Sequence, residues 1–194
     1  FQITGLIGDQ GILPVKEFLD WVEHEFKTEK YFVVPTIFWI DSENLILQIV
    51  CGTGATLGLI MAAGYFPGLL TGLSWILYLS LVSVGREFLS YQWDTLLLEI
   101  GFLAIFICPW NLQRKPNETP STFVVLLFRI LAFKLEFSSG VVKLASGDPS
   151  WRDLSALSFH YETQPLPTFG GWFFHQLPNL FHEVSTALIL VSQL

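Results

Sequence analysis

The sequence predicts an all-α fold: a multi-pass transmembrane helical bundle with amphipathic interfacial helices and polar connecting loops. Three observations carry that expectation. Hydrophobic residues make up 52% of the 194 residues and charged residues only 14%, with a mean hydropathy of +0.52, whereas a soluble domain carries about 25% charge. Residues 45–85 contain no Asp, Glu, Lys, Arg or His. One span needs about 20 apolar residues, so that run can hold two. Further apolar stretches follow, separated by short polar segments.

Residues 1–44 are expected to form a non-cytoplasmic amphipathic segment. They carry eight acids against three lysines, which is most of the net charge of −7, and an acidic segment is repelled by anionic lipid headgroups. The near-neutral remainder leaves no nucleic-acid footprint. GLIGDQGILP holds turn-forming Gly and Pro. In VKEFLDWVEHEF, residues Val15, Phe18, Leu19, Val22 and Phe26 recur at helical spacing, so this helix lies on the membrane surface or on its neighbours, with His24 solvated on the polar side. The IFWI run after it suits interfacial depth, which Trp favours.

Residues 45–145 read as a four-span bundle. The first span covers residues 45–65, with Gly54 and Gly58 in the small-xxx-small spacing that lets helices pack closely. Phe66, Pro67 and Gly68 turn the chain, and residues 69–84 return. GREFLSYQWD connects at an interface, and residues 95–110 make the third span, with Glu99 about one turn inside and therefore facing protein or water. NLQRKPNETPS carries Arg114 and Lys115, which the positive-inside rule assigns to the cytoplasm. The segments before the first span and after the fourth then fall on the other side. The sequon at Asn117 would be cytoplasmic and is followed by Pro120, so it reads as chance. Cys51 and Cys108 lie in apolar runs without a second ligand and are expected as buried free thiols.

The fourth span, residues 122–145, carries Arg129, Glu136 and Lys143 seven positions apart. At about 100° per residue, seven steps return to within roughly 20°, so the three form one stripe with an acid between two bases. A charge at a helix centre costs about 2.5–3.5 kcal/mol. The stripe is therefore expected to face the bundle interior or snorkel at its ends, with Asp94 and Glu99 as partners, while Lys134 lies off it. Asp94, Glu99, Arg129, Glu136 and Lys143 make up an expected intramembrane charge network. Two roles stand for it: an ion-paired stripe that sets helix register, or the wall of a functional cavity.

Residues 146–183 read as a non-cytoplasmic signature loop, and residues 184–194 as the start of a further span. Gly147, Asp148 and Pro149 break the helix, and SWRDLSAL suggests a short helix capped by Ser150 or Asp148. FHYETQPLP is expected to be extended or turned, because of Pro165 and Pro167. Trp151, Arg152, Asp153, His160, Tyr161, Glu162, Gln164 and Pro165 would form either a rigid surface for a client or ligand, or a hydrogen-bonded plug over the bundle mouth. His160, Glu162, His175 and His182 lack paired spacing for a metal. Ser138, Ser139, Ser155 and Ser158 lack the GxSxG context of a hydrolase nucleophile. No metal, no cofactor and no catalytic residue is expected on this reading. The chain begins without Met and stops inside STALILVSQL, so both ends are expected to be cut from a longer protein.

At WRDLSALSFHYETQPLPTFGGWFFHQLP the sequence resembles the lipase maturation factor family. YLSLVSVGREFLSYQWDTLLLEIGFLAIF, FSSGVVKL and GLIGDQGILP support the resemblance. It implies a non-enzymatic multi-pass membrane protein, in animals resident in the endoplasmic reticulum membrane (the plasma membrane would replace it in a bacterium). Its implied role is to assist folding and assembly of dimeric secreted lipases, with those lipases and membrane lipids as partners. The family's large C-terminal region is not in this fragment. SSGVVKL, followed by Asp148 and Trp151, is also similar to the GVKKL…W stretch of vitamin K-dependent γ-carboxylase, whose lysine serves as base for a quinol cofactor. That similarity implies the alternative, a membrane enzyme or lipid- or quinone-binding bundle using Lys143, Glu136 and His160. Desolvation lowers a lysine pKa, while the Glu136 carboxylate works against that shift.

Overall fold

The computed structural model describes residues 2–112, 119–164, 166 and 168–194. The regular structure is helical, with no strand among the described residues. By packing, the chain divides into two units, Phe1–Phe128 and Arg129–Leu194.

The first unit is built on a helical hairpin, α4 (Asn44–Ala62) and α5 (Pro67–Gly85), preceded by α1 (Ile3–Ile7), α2 (Val15–Phe26) and α3 (Lys30–Val33) and followed by α6 (Gln92–Ile107) and the start of α7 (Thr122–Ala145). Two segments, Asn44–Ala62 and Pro67–Phe88, are long and apolar enough to cross a membrane. The 16 residues of α6 reach only about 24 Å, and α7 carries Arg129, Lys134, Glu136 and Lys143 within its 24 residues. The loop bearing Arg114 and Lys115, and with it the sequon at Asn117, lies outside the described residues.

The hairpin turn is made by Gly64 and Phe66, both with positive φ, and Pro67 opens α5 where its missing N–H costs nothing. The end of α6 is stitched to this turn. Phe66 N donates to Leu112 O at 2.9 Å, and Gly68 N to Pro109 O at 3.0 Å. A side chain at Gly68 would press on Trp110. Along the helix pair, the Trp75 indole donates to Leu98 O at 2.9 Å, and Gly101 leaves room for its ring. Close approach is therefore served by Gly68 and Gly101. The expected packing face on α4 meets no partner among the described residues: a Cβ at Gly52, Gly54 or Gly58 would have nothing within 4 Å. Cys51 and Cys108 are free, but half-buried rather than buried.

The best-packed core lies at the other end of the hairpin. Val15, Leu19 and Val22 of α2 close over Leu47 and Val50 of α4 and Val84 of α5, together with Ile7, Val34 and Phe38. This resolves the choice left by the sequence, since the amphipathic helix lies on its neighbours. His24 is exposed. Asn44, at the start of α4, accepts from Asp9 N at 3.0 Å, and any Cβ at Gly8 would strike the same side chain.

The second unit contains the remainder of α7, then α8 (Pro149–Arg152), α9 (Ala156–Thr163), α10 (Phe169–His175) and α11 (Asn179–Gln193). Ala156, Leu157, Gly171, His182 and Thr186 are buried where α9 meets α10 and α11. The segment expected to be a loop is thus mostly helical. Phe159 to Thr163, expected extended, complete α9. The residue before a proline is driven out of the helical region, and Gln164, with φ −60° and ψ 134°, ends this helix without abolishing it.

Leu47 is 0% exposed and Leu59 is 74% exposed on the same helix. Leu47→Ala should cost about 2–5 kcal/mol by leaving a cavity, while Leu59→Ala should leave stability nearly unchanged. Unfolding in mixed micelles would compare them, and equal losses would contradict this placement of the core.

Candidate functional site

The candidate site residues fall into three groups, each held by its own local chemistry. In the first unit, Asp94 sits in the first turn of α6 and is 4% exposed. A buried carboxylate needs donors, and it has two: the Tyr78 hydroxyl from α5 at 2.6 Å and the Tyr91 amide at 3.2 Å. The second bond satisfies one of the free N–H groups at the helix start. Asp94 thereby locks α5 to α6. Glu99 is half-buried one turn further on.

In the second unit, the charged stripe separates into two environments. Arg129 and Glu136 are exposed, as is Lys134. Lys143 is half-buried and donates to Gln193 Oε1 at 2.8 Å, to Ser139 Oγ at 2.6 Å and to Ser139 O at 3.3 Å. Its ammonium also lies 5.3 Å from the centre of the Trp151 ring, within cation–π range. Gly140, one turn away, is pressed against Gln193 and Leu194, where a Cβ would come within 3.1 Å. An ammonium has three donors, and here three contacts use them. Lys143 therefore binds α11 to α7 and joins both to Trp151.

The third group is the WRDL…HYET block. Asp148 caps α8 by accepting from Ser150 N at 2.9 Å, so of the two candidate caps it is the aspartate that acts. Arg152 reaches back to Leu144 O at 3.5 Å, near the end of α7. Asp153 accepts from both the amide and the hydroxyl of Ser155. The Tyr161 ring lies 6.1 Å from Phe174 of α10 and 5.7 Å from His182 of α11, joining three helices. Gln164 packs so closely on Gly171 that a Cβ there would approach to 2.6 Å. Trp151, Tyr161 and Gln164 face inward, half-buried, while Arg152, Asp153, His160 and Glu162 are exposed. Pro165 lies outside the described residues.

His182 is 2% exposed and was weighed in the sequence only as a metal ligand. Its Nε2 lies 3.1 Å from Leu177 O. A carbonyl oxygen only accepts, so Nε2 carries the hydrogen, and Nδ1 is left buried without a partner among the described residues. The described residues contain no group of three or more His, Cys, Asp or Glu arranged to hold a metal. Beyond the expected residues, the structure adds Tyr78, Ser139, Gln193 and Thr168, whose hydroxyl caps α10 by accepting from Gly171 N at 3.0 Å. A lone polar side chain in an apolar run was the only signal for Tyr78 and Gln193, and it names no partner.

Tyr78→Phe removes one of the two donors to the buried Asp94 and should destabilise by about 1.5–3 kcal/mol; denaturation in micelles measures it, and a neutral result would mean that the carboxylate is solvated. A second expectation concerns pH. The Ser155 hydroxyl, then its amide, holds the Asp153 carboxyl below its ordinary pKa. A carboxyl lowered in the folded state contributes stability that is present above its unfolded pKa and lost as pH falls through the folded one. Ser155→Ala should move the Asp153 midpoint up toward the ordinary value and shrink the acid-side loss, as read by NMR titration of labelled aspartate. An unmoved midpoint would contradict the assignment.

Comparison with known proteins agrees with the sequence resemblance. The family model described as lipase maturation factor transmembrane domain matches residues 1–194. The chain is similar to lipase maturation factor 1 of Homo sapiens, 40% identical over 95% of this chain and 34% of that protein. It is likewise similar to lipase maturation factor 2 of Gallus gallus, 38% identical over 100% of this chain and 28% of that protein. Lipase maturation factor 2 of Xenopus tropicalis is 40% identical over 95% of this chain and 27% of its own length. The chain thus spans 27–34% of the length of these relatives. No solved structure matches it. With the family model matching from end to end and the WRDL…HYET block folded around its own aromatic core, the chain belongs to the lipase maturation factor family.

Proposed function

We propose that this chain is the membrane-embedded part of a maturation factor that assists folding and assembly of secreted lipases in the endoplasmic reticulum. The observation that carries the proposal is the end-to-end match to the family's transmembrane domain, together with relatives whose names state lipase maturation. In this reading, residues 45–145 anchor the protein as a four-span bundle. Residues 146–183 stand on the non-cytoplasmic side with the acidic residues 1–44. The inward side chains Trp151, Tyr161 and Gln164 hold the block rigid, and the outward Arg152, Asp153, His160 and Glu162 meet folding intermediates. Phe169 and Trp172, 82% and 61% exposed on α10, supply the apolar contact that an unfinished lipase surface would need. The protein works as a holding factor, without a chemical step of its own.

The carboxylase-like alternative receives less support from the geometry around Lys143. Lys143 is held between Ser139 and Gln193, whereas Glu136 and His160, the other two residues this alternative needs, are exposed.

Disrupting the gene for the full-length protein should leave lipase antigen present while the specific activity of the secreted enzyme falls. Lipase activity measured against lipase antigen in the medium gives the ratio directly. Normal specific activity of every secreted lipase would overturn the proposal. In cells complemented with Lys143→Met, a normal protein level combined with lost function would revive the alternative.

A further inference from the structure

The run between α2 and α4 contains YFVVPTIFWI, residues 31–40, without a charge. Phe32 and Ile40 are each 90% exposed, Tyr31 56% and Val33 48%, an unusual display for a short segment facing water. Its position along α5 accounts for that display. The α5 helix has 19 residues, about 28 Å, close to the roughly 30 Å thickness of bilayer hydrocarbon. Counting back from its end at Gly85, Ser80 lies about 7.5 Å in and Ile76 about 13.5 Å in. The Thr36 hydroxyl donates to Ser80 O at 3.1 Å, and Ile37 N donates to Ser80 Oγ at 3.2 Å. A groove of about 330 Å³ brings Tyr31, Ile37 and Trp39 alongside Ile76 and Leu79. The segment therefore lies beside the last turns of a helix that is long and apolar enough to cross a membrane.

The backbone of this segment is equipped for a solvent without hydrogen bonds. Irregular chain in hydrocarbon must find partners within the protein, because each unsatisfied group costs several kcal/mol. The Trp39 indole donates to Val34 O at 2.8 Å, and the Ser83 hydroxyl to Pro35 O at 3.1 Å. Pro35 has no N–H to satisfy. Ile37 N uses Ser80, and Phe38 N donates to the Thr36 hydroxyl at 3.3 Å. Side chains thus serve the backbone at Val34, Pro35, Ile37 and Phe38. At one end, Lys30 is paired with Glu23 at 2.6 Å and lies 4.6 Å from the Trp39 ring centre and 5.0 Å from that of Tyr31. A cation among aromatic rings is the composition of a headgroup boundary.

We propose that residues 31–40 form a re-entrant wedge that enters the lipid hydrocarbon beside α5, so that Phe32 and its neighbours are covered by acyl chains. The wedge turns the N-terminal segment from a cap resting on the hairpin into a part anchored in one leaflet. It rests on α5 crossing the membrane and does not depend on the lipase reading.

The test is spin-label accessibility in the full-length protein, reconstituted into phosphatidylcholine vesicles with its other cysteines replaced. Labels go at Phe32→Cys and Val33→Cys, with Asp20→Cys as the water control and Leu59→Cys as the hydrocarbon control. The expected result is loss of collision with a water-soluble nickel complex and gain of collision with oxygen at 32 and 33, as at 59. Nickel access equal to that at 20 would overturn the wedge by placing the segment in water. Low access to both reagents would also overturn it, because a polypeptide would then cover the patch. A Ser80→Ala, Ser83→Ala double variant should shift the label at 32 toward water while α4 keeps its pattern. No shift would remove the role given to these serines.

Discussion

Hydrocarbon offers polar groups no partner, and the arrangement around α5 follows from that constraint. This helix carries no charge, yet it is the element against which α2, α4, α6 and the Ile37–Trp39 turn all pack. The α2 and α4 helices meet it through apolar side chains, while the contacts that orient α6 and the Ile37–Trp39 turn are polar. Trp75 holds Leu98 of α6, Tyr78 holds Asp94, and Ser80 and Ser83 hold the chain from Pro35 to Ile37. Apolar packing between a helix and lipid differs little from packing between two helices, so it fixes position weakly. Hydrogen bonds that have no competing solvent fix it strongly. The large apolar surface of α4 and α5 sets where the hairpin resides, and four polar side chains of α5 set what is attached to it.

The second unit uses the same means with aromatic rings in place of a large core. Tyr161 reaches Phe174 and His182, Trp151 receives the Lys143 ammonium, and Gly171 makes room for Gln164. The outcome is a small rigid block whose inward side is occupied by its own structure. Any partner must therefore be met by the outward set, which is charged at Arg152, Asp153 and Glu162 and aromatic at Phe169 and Trp172. His182 Nδ1, like His175 Nδ1, is buried without a hydrogen-bond partner among the described residues. A buried acceptor without a donor costs about 1–3 kcal/mol, which Tyr161, Phe181 and the Leu177 carbonyl offset by holding the His182 ring in place.

Helices were legible wherever an apolar run or a 3.6-residue period was long enough. The α7 limits, Thr122 and Ala145, coincide with the expected ones, and α4 and α5 lie within a few residues of theirs. The sequence reading dissolves α9 on account of the two prolines that follow it, whereas the chain stays helical up to Thr163. The glycines of α4 were read from their spacing as a packing face. Spacing states that backbones can approach and not that a partner is there, and the close approaches occur at Gly68, Gly101 and Gly140 instead.

The sequence by itself determined the class of the protein, the placement of its long helices and, through WRDL…HYET, its family. These depend on composition, short-range period and the identity of residues in a row, which a linear chain carries in full. Only the tertiary structure decided which polar residues meet: Tyr78 with Asp94, Lys143 with Gln193 fifty positions away, Thr36 with Ser80. It also decided that the stripe of Arg129, Glu136 and Lys143 does not share one environment. The physical reason is that a hydrogen bond depends on a distance of about 3 Å, and sequence separation says nothing about distance once the chain has turned back on itself.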